Sequence, residues 1–321
     1  MSKIPGTKFH YYKYRLLSAV TFGKLREKYN AKRKALKAAL HAQACPIQGE
    51  AESENLLHFP PGHYYSTIPS KEDVDNYLSK SSPLPKELPG IDLSMDVQKQ
   101  FLDQIKMLKK EYVWTANKQD GHFYYSENNM FGEGCASVLY SMIRIFNPKR
   151  IIEIGSGHST SMMVDTNRLF QDNSIKITCI EPYPCRLHEV FGKDMDKYIK
   201  LHEKKLQEVD IALFDELVEG DICFIDSSHV TKLESDVNKN LFEILPRLKK
   251  GVIIHFHDIL YPFEYPRKWI EENWGWNEAY ILRAFLQFNK DFEIIFWGNC
   301  VQHLLGPKLP LGGSIWLRKC V

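Results

Sequence analysis

Residues 150–160 read Arg-Ile-Ile-Glu-Ile-Gly-Ser-Gly-His-Ser-Thr, and this stretch limits the possible folds more tightly than any other. Three isoleucines in five residues predict a buried strand, Gly155 and Gly157 a tight turn at its end, and Thr160 the approximate start of a helix. A glycine turn lets a ligand approach the backbone closely, and a helix N-terminus favours an anionic group. In an open α/β sheet the carboxyl end of the first strand is where ligands bind.

The rest of the chain repeats that grammar. Short apolar runs at 150–154, 175–180, 199–202, 222–225, 252–256, 292–297 and 314–317 alternate with helical patterns. Seven strands with intervening helices predict a doubly wound α/β sheet. Upstream, Ser70-Lys-Glu-Asp73 has the form of a capping box opening a short helix. Val97, Phe101, Leu102, Ile105 and Leu108 fall at helical spacing over about four turns. A further helix near 134–146 is stopped by Asn147-Pro148, and one long helical segment is expected to hold Trp269, Trp274, Trp276, Asn277, Tyr280 and Phe285.

Charge divides the chain. Residues 1–40 carry eleven Lys and Arg against Glu27 alone, whereas the remaining 281 residues hold 31 basic and 39 acidic side chains, so a net charge of +2 conceals a basic arm on an acidic body. Three regions are expected: a basic helical arm at 1–45, a helical lid or linker at 46–119 marked by prolines, and the α/β domain at 120–321. Seven scattered cysteines without a Cys-x-x-Cys pair suit neither a disulfide framework nor a zinc site. No apolar run is long enough to span a bilayer, and the N-terminus lacks a signal peptide's pattern. The expected setting is cytoplasmic.

Two cofactor classes compete for the glycine turn. A dinucleotide fingerprint needs a third glycine, and Thr160 stands in that place. Glu153, two residues before the first glycine, instead puts a carboxylate where a cationic amino-acid moiety could be bound directly or through water. The second strand ends in Glu181, which can accept both hydroxyls of a ribose. Together Glu153, Gly155, Gly157 and Glu181 resemble the first two motifs of class I S-adenosylmethionine-dependent methyltransferases. Asp221–Asp226 with the following Ser-Ser-His229 looks like that family's fourth strand, and the segment from Gly251 through His255 and His257 to Asp258 like its fifth.

The resemblance covers roughly residues 120–321. It implies a seven-stranded Rossmann-like methyltransferase sheet whose seventh strand is antiparallel and inserted between the fifth and sixth, with an α-helical N-terminal extension. It also implies S-adenosyl-L-methionine as cofactor, held by Glu153, Gly155, Ser156, Gly157, Ser159, Glu181 and Asp226.

Methyl transfer from a sulfonium is a direct displacement, so the protein must align donor and acceptor and help an alcohol lose its proton. The ends of the fourth and fifth strands hold the groups for this: Asp226 and His229, then His257 and Asp258, with His255 sharing the face of His257. Either His229 or His257 takes the acceptor proton, or Asp226 and Asp258, with His257, bind a divalent cation such as magnesium that lowers the acceptor's pKa. The metal reading draws on resemblance to the catechol and macrolide-sugar O-methyltransferases, from which this chain departs by carrying Ile259 after Asp258. Resemblance to enzymes of bacterial surface-glycan and antibiotic-sugar pathways points to a hydroxyl of a small molecule or saccharide as acceptor.

The aromatic segment 58–66 could close over donor or acceptor, or equally form a packed surface loop; the segment 121–132 is expected near the cofactor's amino-acid end. The basic arm suits peripheral membrane contact or oligomerisation better than nucleic acid, because the body beside the active site is acidic. A nicotinamide-dependent oxidoreductase and a catalytically inactive methyltransferase-fold scaffold are the rival readings.

Overall fold

The computed structural model describes residues 58–80, 83–128 and 130–321. The arm at 1–45, with its expected membrane and subunit contacts, lies outside the described residues. Residues from Phe59 to Val321 belong to one compact unit, built on seven strands: β1 (Arg150–Ile154), β2 (Lys176–Ile180), β3 (Lys200–His202), β4 (Ile222–Ile225), β5 (Ile253–Phe256), β6 (Phe292–Trp297) and β7 (Ile315–Lys319). Their order is β3-β2-β1-β4-β5-β7-β6. The first five run parallel, and β7 is antiparallel to both β5 and β6. This is the Rossmann-like methyltransferase sheet.

The strands are apolar on both faces because helices cover both faces. Alternate residues of each strand enter different clusters. Ile152, Ile154, Ile225, Ile254, Phe256 and Leu317 join one core, and Ile151, Ile177, Ile222, Phe224, Ile253 and Trp316 the other. The second is closed by α2 (Met95–Leu108), α3 (Glu133–Phe146) and α4 (His158–Phe170); the first by α6 (residues 236–247, with a π-helical turn at Asn240–Ile244) and α8 (Glu278–Leu286). Cutting one such core isoleucine or leucine to alanine costs about 2–5 kcal/mol.

Upstream, α1 (Lys71–Ser79) begins at the expected capping box: Ser70 Oγ accepts from Asp73 N at 3.1 Å and the Asp73 carboxylate accepts from Ser70 N at 3.3 Å. Within the stretch read as a lid or linker, Leu88, Leu93, Phe101, Leu102, Ile105 and Trp114 are buried in the two cores. α2 contacts the edge strand β6 directly.

The segment from Trp269 to Phe285 is two helices where one was expected. α7 (Arg267–Glu271) and α8 are separated by Asn273 and Gly275 at φ 54° and 68°. These residue types accept left-handed backbone at little or modest cost, and the break throws Trp274 and Trp276 off the helix axis. Two further helices are α5 (Cys185–Phe191), before β3, and α9 (Gly298–Leu305), after β6. Among the described residues no helix is long and apolar enough to cross a membrane.

Candidate active site

The chain runs outward from β1 to β2 and β3, then returns to place β4 on the other side of β1. That reversal opens a crevice at the carboxyl ends of β1 and β4. Backbone pairing sets its floor: Asp226 N donates to Ile154 O at 2.9 Å, and His257 N to Ile225 O at 2.9 Å. Gly155, at φ 79°, passes so close to β4 that a β-carbon there would lie 1.8 Å from Asp226 O. Only glycine fits.

Glu153 is fully buried. Its carboxylate accepts from Ser159 Oγ and Thr160 Oγ1, both at 2.6 Å, with Cys179 Sγ at 3.3 Å. Thr160 Oγ1 in turn accepts from Gly157 N at 2.9 Å. Glu153, expected to meet a cationic amino-acid moiety directly or through water, is enclosed: it and Ser159 hold the glycine turn to the first turn of α4, which starts at His158, two residues before Thr160. Burial pushes the Glu153 carboxyl up to about 7, against the pull of its hydroxyl donors. Thr160, the residue that disfavours a dinucleotide fingerprint, is a structural part of this turn.

Glu181 lies where the sequence placed it. Its carboxylate accepts from Ser156 N at 3.1 Å and Tyr183 N at 2.8 Å, and it lines two adjoining cavities. The smaller, about 260 Å³, is bounded by Phe131, Gly157, Arg186, Asp226, His257 and Trp276 among others. The larger, about 750 Å³, runs from Glu181 and Tyr183 past Leu206 and Gln207 to Leu233. Gly155, Glu181, Asp226, Ser227 and Ser228 border both, so the two form one cleft with a waist at Asp226.

Four histidines stand at or under the smaller cavity, in different states. His229, at φ 60°, is buried between two carboxylates: Nδ1 lies 2.8 Å from Glu278 Oε2 and Nε2 3.4 Å from Asp226 Oδ1. Burial disfavours its charge, but Asp226 and Glu278 outweigh burial and lift it to about 10. An imidazole already carrying its proton cannot take another, so of the two histidines expected as base His229 is the less suited. Burial likewise opposes the charge on Asp226, yet His257 and His229 hold that carboxyl well below the ordinary range. His255 stacks on Phe224 at 3.7 Å between ring centroids, and burial, then His257, pushes it well down. It does share a face with His257, 5.9 Å away. His158 is buried in the glycine turn.

His257 packs against Phe131 at 5.1 Å. Its Nδ1 is enclosed without a hydrogen-bond partner, and its Nε2 lies 3.4 Å from Asp258 Oδ1. Asp258, like His229, is a non-glycine residue in left-handed backbone (φ 54°). Such strain, of order 1–3 kcal/mol each, gathers at functional sites. Burial raises the Asp258 carboxyl.

Asp226, His257 and Asp258 border the same cavity, but they do not form a cation site; among the described residues no three His, Cys, Asp or Glu groups converge to hold one. The physical reason is that Asp226 is committed to a protonated histidine. The segment 121–131 does reach the pocket, through Met130 and Phe131. Asn128 folds its end back by accepting from Met130 N and Phe131 N, and Asp165 fixes its start through Trp114 Nε1, Phe123 N and Tyr124 N. The aromatic segment 59–66 lines neither cavity; Phe59 stacks on His63 at 4.6 Å, and Tyr64 and Tyr65 are exposed.

Three contributors escaped the sequence reading. Glu278 is legible only once α8 docks, with Asn277 N and Glu278 N both donating to His229 O at 3.1 Å. Trp276 packs against His229 at 4.2 Å with its ring tilted by 37°; three tryptophans within eight residues were its available signal. Arg186 lies beside Gly157, where a β-carbon would come within 2.9 Å of its guanidinium, and its Nε is enclosed without a partner.

Residues 152–259 match a family model described as a methyltransferase domain. A protein of unassigned function from Archaeoglobus fulgidus is 33% identical over 169 residues, 50% of this chain and 75% of that protein. Among solved structures, the chain is similar to an O-methyltransferase of Streptomyces achromogenes involved in tomaymycin synthesis, in complex with S-adenosylmethionine (12% identity, 70% of this chain, 99% of that one, TM-score 0.42). It is also similar to an O-methyltransferase of Bacillus cereus in complex with S-adenosylhomocysteine (12% identity, 77% and 97%, TM-score 0.37). With the strand order, the glycine crossing of β4 and the acid ending β2, the match gives the assignment: residues 152–259 are a methyltransferase domain, set in the seven-stranded sheet of the class I S-adenosylmethionine-dependent type.

Proposed function

We propose that the protein transfers a methyl group to a hydroxyl of a small molecule or saccharide, with His257 as the base. The carrying observation is the setting of the histidines: His229 is held between two carboxylates, His255 is buried under Phe224, and His257 borders the cavity with one carboxylate, Asp258, beside Nε2 and none on Nδ1. Its Nδ1 is enclosed, so Nε2 is the atom that would meet the acceptor.

The cleft suits the cofactor. Glu181 is placed for ribose hydroxyls in the larger cavity, and the unpartnered Arg186 Nε, beside the glycine turn, is a cation suited to a carboxylate at the far end. When bound, S-adenosylmethionine supplies a methyl group on a positively charged sulfur. Asp226, at the waist, keeps a fixed negative charge where that cation would pass. His257 Nε2 accepts the hydroxyl proton as the new carbon–oxygen bond forms, and Asp258 beside it favours the resulting imidazolium. No step is assigned to a metal ion, because the donor groups do not converge.

The test is His257→Gln, assayed with methyl-labelled cofactor against a panel of methyl glycosides and phenols. Loss of a positioned base lowers turnover by roughly 10²–10⁴-fold while S-adenosylhomocysteine binding stays within about twofold of wild type. Undiminished turnover would overturn the role of His257. Equal activity toward amine acceptors alone would overturn the hydroxyl, and no turnover with any acceptor would favour a scaffold.

A further inference from the structure

Beyond the transfer pocket, the break between α7 and α8 builds an aromatic surface that the mechanism does not use. Trp276 lines the pocket, and Trp274 meets it edge-on at 4.8 Å. Trp269 and Trp274 lie nearly parallel, 4.7 Å apart at 9°. Trp269 reaches Trp276 at 5.1 Å, and Tyr265 connects to Tyr280 at 5.7 Å. The outer members are open to solvent: Trp274 is 41% exposed and Tyr280 47%. A single exposed aromatic is ordinary, but a contiguous set of touching rings that adjoins a pocket marks a contact surface.

The chemistry of the rim narrows what it receives. Trp274 Nε1 donates to Glu272 at 3.0 Å, and Tyr280 Oη donates to Glu264 at 3.2 Å. Glu271 is paired with Arg267 at 2.8 Å and Glu272 with Lys268 at 3.7 Å. Glu271 and Glu272 are therefore balanced and Glu264 is held by the Tyr280 hydroxyl, so the rim is a set of hydrogen-bonding groups rather than a cluster of free carboxylates around the rings. A flat aromatic guest is best held between two parallel rings, but the one near-parallel tryptophan pair here is closed on itself at 4.7 Å. What remains is the exposed part of Trp274, bordered by hydrogen-bonding groups. A pyranose ring matches it, offering a face of C–H bonds to the aromatic ring and hydroxyls to the rim.

We infer that the Trp274–Trp276 surface is a saccharide-binding subsite that seats a neighbouring sugar ring of the acceptor while the methylated ring occupies the pocket at His257. This rests on the proposed hydroxyl transfer and deepens it, since continuity through Trp276 makes the acceptor longer than one ring. Trp274 is then a specificity-determining residue outside the reacting atoms.

The test is a glycan array probed with the full chain in saturating S-adenosylhomocysteine, with calorimetry of the same preparations. Wild type is expected to bind pyranose oligosaccharides and to prefer two or more rings over one. Trp274→Ala should weaken that binding at least tenfold, Trp274→Phe should restore most of it, and both should bind S-adenosylhomocysteine as wild type does. Absence of any oligosaccharide binding, or unchanged binding by Trp274→Ala, overturns the subsite. Failure of wild type to bind S-adenosylhomocysteine overturns the donor–acceptor reading beneath it, and the subsite with it.

Discussion

Replacing Glu278 with Gln tests the electrostatics of the site most sharply, because the amide keeps the shape and an acceptor oxygen but removes the charge. The His229 side chain is 6% exposed and that of Glu278 1%, so solvent does little to screen their 2.8 Å contact. Both imidazole nitrogens face carboxylates, which requires both to carry hydrogens and puts the shared proton on the histidine. Burial raises the Glu278 carboxyl, while His229 pulls it back; the ionised pair is the arrangement that satisfies both ring nitrogens. Breaking a buried pair costs about 3–5 kcal/mol, and with Asp226 still 3.4 Å away the low end applies. About 3 kcal/mol corresponds to a fall of roughly 6–12 °C in Tm for a domain of this size.

The pH dependence carries a definite sign. His229 has a folded value raised from 6.5 to about 10, so its contribution is fully present below pH 6.5 and lost as pH rises toward 10. The gap between wild type and Glu278→Gln should therefore be widest near pH 6 and narrow by pH 9–10. Urea melts at pH 6, 7.5 and 9.5 measure it. A gap under 1 kcal/mol at pH 6, or one that grows with pH, would refute the protonated His229.

Three other outcomes follow from the geometry. Gly155→Ala forces a β-carbon to 1.8 Å from Asp226 O at φ 79°, so calorimetry should show S-adenosylhomocysteine binding abolished; affinity within threefold of wild type would sink the close-crossing argument. Glu181→Ala removes charge-assisted hydrogen bonds to a ribose, each worth about 1.5–3 kcal/mol, and should weaken that binding at least tenfold with little change in Tm. Exhaustive chelation should leave turnover unchanged, and a loss restored by added magnesium would contradict the divided roles of Asp226 and Asp258.

The sheet was legible because its strands are buried on both faces and so read as uninterrupted apolar runs; β1, β4 and β6 fall at their expected boundaries. The cofactor turn was legible because glycine at a close crossing has no substitute. What the sequence concealed depends on distance across the fold. Nothing near Glu153 says that Ser159 and Thr160 fold back to occupy its oxygens. Nothing near His229 announces Glu278, 49 residues on. The helix break at Asn273 and Gly275 was visible as residue types, but the strong apolar periodicity around it outweighed them.

The antiparallel seventh strand has a consequence for how the molecule is made. β7 comes last in the chain order yet sits inside the sheet, paired with β5 on one side and β6 on the other. During vectorial synthesis β5 and β6 are complete while the gap between them stays empty, leaving two unsatisfied edges of the kind that recruit foreign strands. β5 ends at Phe256, next to His257, so the strand leading into His257 is not paired on both sides until β7 inserts. A nascent chain stalled after β6 would thus carry every residue of the proposed active site on a sheet whose β5 edge is still unpaired.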